Sequence, residues 1–210
     1  DWRAIKPLQI SRDGQPVTAA FRAAYDSDNL YVSFDVNDPS PWKNSGKEYQ
    51  LLFKTGDCVD LQLSPSGNTT AKAVAGDLRV VIANFGGKPV AVLMKPVVAE
   101  ASAKQPFTFT SPVMTVTFDQ VSLLPEVTPT MAVRGNGYTV TAALPWKTLG
   151  IEPKAELSLR GDAGFILSDP AGSSNTARVY WSNKNTNLVN DQPGEALIMP
   201  QGFGSFLLAP

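Results

Sequence analysis

The chain has 210 residues, of which 43% are hydrophobic and 18% charged, a composition typical of a globular protein that excludes a disordered one. Eighteen basic and nineteen acidic residues nearly cancel, and no block of Lys and Arg offers the positive field that nucleic-acid binding requires. No apolar run approaches the roughly 18 residues of a membrane-spanning helix, so the sequence predicts no membrane span.

Alternation of apolar and polar residues predicts β-strands along most of the chain. The alternation is clearest in residues 30–37, 59–63, 78–83 and 157–166. Shorter strands are predicted near residues 17–25, 89–97, 113–118, 138–144, 177–182 and 204–208. The best helix candidate is a single turn at residues 146–149, ended by Gly150.

Clusters of turn-forming residues separate the predicted strands, and the 16 glycines and 17 prolines are spread along the chain rather than gathered in a linker. The pattern predicts an all-β fold, a single-domain antiparallel β-sandwich of two packed sheets over residues 1–210, jelly-roll or immunoglobulin-like. No signal-peptide pattern is seen, so we expect a mature or excised segment of a larger protein.

The sequence contains no histidine and one cysteine, Cys58. Catalytic triads that use histidine and zinc sites built from histidine are therefore excluded. A disulfide within the chain is excluded as well. Cys58 lies in a strand pattern, where a small buried side chain is expected.

Segments at residues 25–39, 56–63, 137–146 and 179–183 share an order and a spacing. The first is a polar turn, an alternating strand and a stop at Asp38, and the third is a strand that ends in a Pro-Trp corner. Together they resemble the family 9 carbohydrate-binding modules and their DOMON-like relatives. The resemblance implies a β-sandwich that binds a polysaccharide or oligosaccharide on a concave outer sheet face, without catalysis.

Charged side chains are predicted on the outer face of adjacent strands, because Val59, Leu78 and Leu159 are expected to face the core. These outward residues are Asp60, Arg79, Arg160 and Asp162. The resemblance implies that Asp60 and Arg79 contact the sugar, since carboxylates and guanidinium groups each form paired hydrogen bonds with neighbouring hydroxyls. A structural network of cross-strand ion pairs is the alternative.

Aromatic residues that could stack on a sugar are Trp42, in the loop 40–44, and Phe53. The family's two clamping tryptophans have no counterpart here, because Phe53 and Lys54 stand at the first position and residues 187–189 at the second. Trp42 is predicted either to bind ligand from its loop or to plug the end of the sandwich. Trp146 and Trp181 are expected to pack in or beside the core.

A long, amide-rich loop at residues 181–196 begins where the family's second clamp loop begins. Asn183, Asn187, Asn190 and Asp191 could bind a glycan, or could bind a structural calcium ion through their oxygens. A loop that satisfies its own backbone is the alternative. Residues 26–29 lack the glycine and glutamate of an EF-hand and are predicted to form a turn.

A non-catalytic glycan-binding domain is the function that these features favour, in a secreted, cell-surface or periplasmic protein with other domains. The main alternative is a structural or protein-interaction module, since the clamp tryptophans are missing. A haem-binding electron-transfer domain would have to use a methionine and a lysine as ligands, because histidine is absent. A glycoside hydrolase with two carboxylates is a further alternative.

Overall fold

The computed structural model describes residues 1–14, 17–100, 104–112, 114–185 and 193–208, and the regular structure in them is mainly β-strand. The strands are β1 (Leu8–Ser11), β2 (Thr18–Tyr25), β3 (Asn29–Asn37), β4 (Cys58–Ser64), β5 (Leu78–Phe85), β6 (Lys88–Lys95), β7 (Phe107–Ser111), β8 (Met114–Phe118), β9 (Gln120–Leu123), β10 (Thr130–Arg134), β11 (Gly137–Pro145), β12 (Ser158–Ser168), β13 (Asn175–Tyr180) and β14 (Gly204–Leu207). Two four-residue helices are α1 (Leu52–Thr55) and α2 (Trp146–Leu149). The prediction of an all-β fold is confirmed.

Two antiparallel sheets form the sandwich. The five-stranded sheet has the order β1-β2-β3-β11-β10. The seven-stranded sheet has the order β13-β12-β4-β5-β6-β9, and β14 pairs with the first part of β12. A separate hairpin is formed by β7 and β8. None of the described helices is both long enough and apolar enough to cross a membrane.

The main core lies between the two sheets and follows from the alternation in the sequence. Val32 and Phe34 of β3 face Val59 and Leu61 of β4 within one cluster of buried side chains. Burying each such side chain contributes about 1.5–3 kcal/mol. Trp146 is buried in this core and Trp181 packs against it, as the sequence predicted.

A second core covers the other face of the seven-stranded sheet. It contains Cys58, Val81 and Ile166 from the sheet, together with apolar side chains of α1, the β7–β8 hairpin and residues 196–203. Strand β4 is consequently buried at all seven positions, on both of its faces. The expectation of an open polar outer face is therefore wrong along β4, because a further layer of the chain lies on it.

Turns close the structure where the sequence predicted them. The helix α2 ends at Gly150, which adopts the left-handed conformation with φ of 74° and donates its N–H to the carbonyl oxygens of Trp146 and Lys147. At residues 26–29 the Asp26 carboxylate accepts hydrogen bonds from the backbone N–H groups of Asp28 and Asn29, each at 2.8 Å. This Asx turn is the predicted turn.

Candidate functional site

Polar side chains of four neighbouring strands converge on the covered face of the seven-stranded sheet. We call this cluster the polar patch, and it consists of Asp60, Gln62, Arg79, Arg160, Asp162, Arg178 and Tyr180. The strand register places Asp162, Gln62 and Arg79 side by side across β12, β4 and β5. The sequence predicted correctly that Asp60, Arg79, Arg160 and Asp162 share one side of the sheet.

An ion pair between Asp60 and Arg79 forms the centre of the patch, and both side chains are 0% exposed. The Arg79 Nε and Nη2 atoms donate to Asp60 Oδ2 at 2.8 and 2.5 Å, and the Tyr180 hydroxyl donates to the same oxygen. Burial disfavours the charge of Arg79, but the adjacent Asp60 outweighs it and raises the pKa of the guanidinium. Burial, with the Asp60 charge, raises the pKa of Tyr180.

A glycine gives Tyr180 the room to reach Asp60. Gly164 lies opposite both Asp60 and Tyr180 in the strand register. A Cβ atom at this position would lie 2.4 Å from the Tyr180 ring and 2.8 Å from the carbonyl oxygen of Val179. The absence of a side chain therefore lets the tyrosine ring lie across β12, with its hydroxyl on the carboxylate.

Residues 193–198 lie over the polar patch, and we call them the cover segment. Arg79 Nη1 donates to the carbonyl oxygens of Glu195 at 3.0 Å and Ala196 at 3.5 Å. Arg178 donates to the Glu195 carbonyl oxygen at 3.1 Å and to its carboxylate at 3.0 Å. Ala196 and Ile198 are buried in the second core, so the cover segment is held by both charge and apolar packing.

Phe53 lies beneath the arginines and is 1% exposed. The Arg79 guanidinium carbon is 4.6 Å from the centre of the Phe53 ring, a cation–π contact, and the ring of Phe109 packs edge-on at 5.7 Å. The expectation that Phe53 offers an open stacking face is wrong in this conformation, because Arg79 and the β7–β8 hairpin cover the ring.

Asp162 and Arg160 fix backbone around the patch rather than facing solvent. Asp162 accepts hydrogen bonds from the N–H groups of Ser182, Asn183 and Ala163 at 2.7–2.9 Å. Burial raises the pKa of Asp162 to about 6, against the opposing effect of these donors. Arg160 donates to the carbonyl oxygens of Pro200 at 3.1 Å and Phe203 at 2.6 Å. Both residues were predicted on an accessible platform. That accessibility is not observed for Asp162, which is 1% exposed, whereas Arg160 is half-buried.

Trp42 is a plug in the sandwich core, which was one of its two predicted roles. It is 5% exposed, its ring lies 5.0 Å from that of Tyr138, and it adopts a positive φ of 58°. The alternative prediction, that Trp42 binds ligand from its loop, is wrong because its ring is buried in the core. The predicted loop residues Asn187, Asn190 and Asp191 lie outside the described residues.

The comparisons with known structures match nearly the whole chain. A family 9 carbohydrate-binding module from Caldicellulosiruptor kristjanssonii, solved in complex with cellotriose, has a TM-score of 0.63 and 15% identity, covering 99% of this chain and 84% of that one. A family 9 module from the same organism, solved in complex with glucose, has a TM-score of 0.57 and 15% identity, covering 97% of this chain and 84% of that one. The chain has the fold of the family 9 carbohydrate-binding modules.

A putative carbohydrate-binding protein from Bacteroides uniformis ATCC 8492 also matches this chain, with a TM-score of 0.50, 10% identity, and coverage of 98% of this chain and 87% of that one. No family model matches the sequence, and neither does any curated protein. The resemblance predicted from four short segments is therefore confirmed by the fold.

On this family 9 fold, the sequence did not predict three residues of the polar patch, Gln62, Arg178 and Tyr180, or two residues beside it, Asn175 and Glu195. Arg178 and Tyr180 alternate with the core residues Ala177 and Val179, so the pattern could have predicted that their side chains lie on the face away from the main core. Asn175, which donates to the Phe53 carbonyl oxygen at 2.9 Å, begins β13 at the point where the register with β12 shifts, so the alternation does not predict its face. Glu195 lies in a short 3-10 turn, which has no such alternation.

Calcium was left open as a structural ion of the long loop. Across the described ranges, no group of three or more acidic or cysteine side chains is arranged to hold a metal ion. The Asn183 side chain instead accepts a hydrogen bond from the backbone N–H of Asn185 at 3.1 Å. In its described part, this loop satisfies its own backbone.

Proposed function

We propose that the chain is a non-catalytic carbohydrate-binding domain that takes its glycan at the polar patch, with the cover segment displaced. The observation that carries the proposal is the buried cluster of Asp60, Arg79, Arg178 and Tyr180. A buried ion pair contributes little to stability compared with apolar side chains of the same volume. Such a cluster therefore favours a role in recognition over a role in holding the sheet together.

One oxygen of the cluster supports this interpretation. Asp60 Oδ1 is buried and has no hydrogen-bond partner among the described residues, while three donor atoms converge on Oδ2. A buried acceptor without a partner calls for an explanation. A sugar hydroxyl would supply the missing donor, and a carboxylate accepts two such bonds readily.

The cover segment supports the same role through the atoms it offers. It presents the carbonyl oxygens of Glu195 and Ala196 and the carboxylate of Glu195 to the guanidinium groups of Arg79 and Arg178. Hydroxyl oxygens of a sugar are acceptors that could replace them. In this proposal a bound glycan exchanges its own oxygens for those of the cover segment, and no guanidinium loses its acceptors.

Gluco-oligosaccharides are the ligands that we propose to test first, because structures with the same fold bind cellotriose and glucose. The Phe53 ring is covered by Arg79, so hydrogen bonds rather than stacking would supply the affinity. Weak binding is expected, since the cover segment must first be displaced. A location outside the cytoplasm, among other domains of a longer chain, fits this function.

An enzymatic role has less support from the patch. The Asp162 carboxylate accepts three backbone hydrogen bonds, which hold it against the loop at residues 182–183 rather than aiming it at a substrate. Asp60 is occupied by an arginine and a tyrosine. Neither acid is presented as a proton donor beside an open cleft, as glycoside hydrolysis requires.

Calorimetric titration with cellotriose and glucose, after a glycan-array screen, tests the proposal on wild type and Gln62→Ala. Gln62 is the informative position because it is 7% exposed and makes no side-chain hydrogen bond in the part of the chain that the structure describes. Its removal therefore leaves no buried partner unsatisfied. We expect a loss of affinity of about two- to tenfold, the contribution of one hydrogen bond.

The matched control is Gln9→Ala, which changes an exposed glutamine on β1 of the other sheet. This variant should bind as wild type does. Equal binding by Gln62→Ala and wild type would place the site elsewhere. If wild type bound no glycan at all, the structural or protein-interaction role would become the better account.

A further inference from the structure

A concave surface lies on the opposite face of the seven-stranded sheet from the polar patch. It is a cleft of about 680 Å³ at one end of the sandwich, where the two sheets separate, and we call it the end cleft. Leu61 and Leu63, whose neighbours Asp60 and Gln62 point into the polar patch, contribute to its floor. Ligand pockets typically enclose about 300–1,000 Å³, so the end cleft has the size of a binding site.

Ala23 shows that the sandwich is open here. It lies on the same face of β2 as the core residues Ala19 and Phe21, and it pairs with Val32, which is 0% exposed. A residue on the inward face of a sandwich strand is normally covered by the facing sheet. Ala23 is nevertheless exposed and lines the cleft, so among the described residues the facing sheet leaves it open to solvent.

An aromatic wall borders the cleft. The rings of Trp181 and Phe206 stack with centroids 5.2 Å apart, and Phe21 lies 6.0 Å from Phe206 across the space between the sheets. Gly204 makes this stack possible, because a Cβ atom there would lie 2.2 Å from the Trp181 ring. The wall is rigid, apolar surface that remains reachable from solvent, as Trp181 and Phe206 are half-buried.

The charge at the rim has one sign. Lys6 and Arg22 are the charged residues among those that line the cleft, and both are basic. Neither forms a salt bridge with any residue in the described ranges. The Arg22 Nε atom donates to the carbonyl oxygen of Ile5 at 3.1 Å, which holds its guanidinium at the rim. An apolar floor with a basic rim is complementary to an apolar body that carries a negative group.

The geometry points to a second ligand site: the end cleft binds a small amphipathic carboxylate, with its hydrocarbon part between the sheets and its carboxylate at Lys6 and Arg22. The hydrocarbon covers inward-facing apolar surface at Ala23 and Leu61 that the fold leaves open. This site is independent of the proposed glycan site, because different residues on the other face of the sheet form it.

Decanoate tests this site directly, with decanol and decyltrimethylammonium as neutral and cationic ligands of the same chain length, all below micelle-forming concentrations. Tryptophan fluorescence and the thermal midpoint report binding, since a ligand that prefers the folded state raises the midpoint. We expect wild type to bind decanoate most tightly and the cation least. Lys6→Gln should weaken decanoate binding by about two- to fivefold and leave decanol binding unchanged.

Ala23→Phe fills the cleft and should weaken decanoate binding by at least about tenfold. The matched control is Ala143→Phe, which adds the same ring at an exposed position of β11 in the same sheet. Ala23→Leu repeats the test with a smaller side chain if the phenylalanine variant does not fold. Unchanged decanoate affinity in the filled variant, or equal affinity for the cation, would overturn the proposal. Cellotriose binding should be the same in Ala23→Phe and wild type.

Discussion

At the scale of single residues, we expect substitution of the buried ion-paired residues to affect stability most, because each is paired with one buried partner of opposite charge. Asp60 and Arg79 have no exposed side-chain surface. Each depends on the other, and a lone charge left behind would face a low dielectric environment. Replacing one partner alone is therefore a poor probe of ligand binding at this site, since it also threatens the fold.

Arg79→Met should lower the free energy of unfolding by about 3–5 kcal/mol, because it leaves the Asp60 carboxylate buried without its counter-charge. The double variant Asp60→Leu with Arg79→Met should recover most of that loss, since it removes both charges and retains the volume. Urea denaturation of the wild type, of the single variants Asp60→Leu and Arg79→Met, and of the double variant measures the coupling. Additive losses would show that the pair is not coupled in the folded state.

A pH-dependent stability follows from two buried carboxylates. Burial raises the pKa of Asp57 to about 7 and that of Asp162 to about 6, from an ordinary value of 3.8. A carboxyl group with a raised pKa stabilises the fold below the unfolded pKa, and this contribution is lost as pH rises through the folded pKa. The free energy of unfolding should therefore fall between about pH 4 and pH 7.

Carbon-13 NMR of the aspartate carboxyl groups, with denaturation at each pH, checks this expectation. Asp57 and Asp162 should titrate near pH 7 and pH 6, respectively. Asp169 serves as an internal control, because backbone hydrogen bonds from the loop at residues 172–174 lower its pKa. If Asp57 and Asp162 titrated near pH 4, or if stability rose steadily from pH 5 to 8, the account of their burial would be wrong.

At the scale of elements, strand β12 depends on a position without a side chain. The Tyr180 ring of β13 crosses β12 at Gly164, and this crossing brings the hydroxyl to Asp60. The interaction links β4, β12 and β13 on the covered face of the sheet. A side chain at residue 164 would push the tyrosine away from the carboxylate. It would also clash with the carbonyl oxygen of Val179, a backbone atom that cannot move without shifting β13.

Gly164→Ala should consequently destabilise the protein by about 1–3 kcal/mol, the range for overpacking a filled site. The matched control is Gly135→Ala, where a Cβ atom would meet nothing within 4 Å. Thermal denaturation of the two variants provides the comparison. Equal midpoints would show that the Tyr180 ring moves aside without cost, and would weaken the assigned link between β12 and β13.

At the scale of the whole molecule, the sequence was sufficient to predict the sandwich and to predict which side chains of its strands face the main core. The alternation in residues 59–63 and 78–83 placed Asp60 and Arg79 on the side away from the main core, and the structure agrees. Strands β1, β7, β9 and β10 were missed, and each is only four or five residues long, although the equally short β8 and β14 were predicted. A run of this length shows few repeats of a period, so its prediction is uncertain in either direction.

What the sequence could not show is the layer that covers the polar patch. Period-two alternation reports that two faces of a strand differ, but it does not report what lies on the polar face. The covering elements, the β7–β8 hairpin and the cover segment, are about 50 and 130 residues further along the chain than β4. The sequence of the cover segment shows no sign that Arg79 and Arg178 are its partners, and that of the hairpin shows no sign that Phe109 packs on Phe53.

A backbone amide NMR titration with cellotriose shows whether a glycan binds at the polar patch and displaces the cover segment. We expect the amide signals of Gln62, Arg79 and Ala196 to shift together and to saturate at one concentration. The signals of Ala23 and Phe206, in the end cleft, should remain unchanged. Shifts confined to the end cleft, or an unchanged spectrum at saturating cellotriose, would contradict the claim.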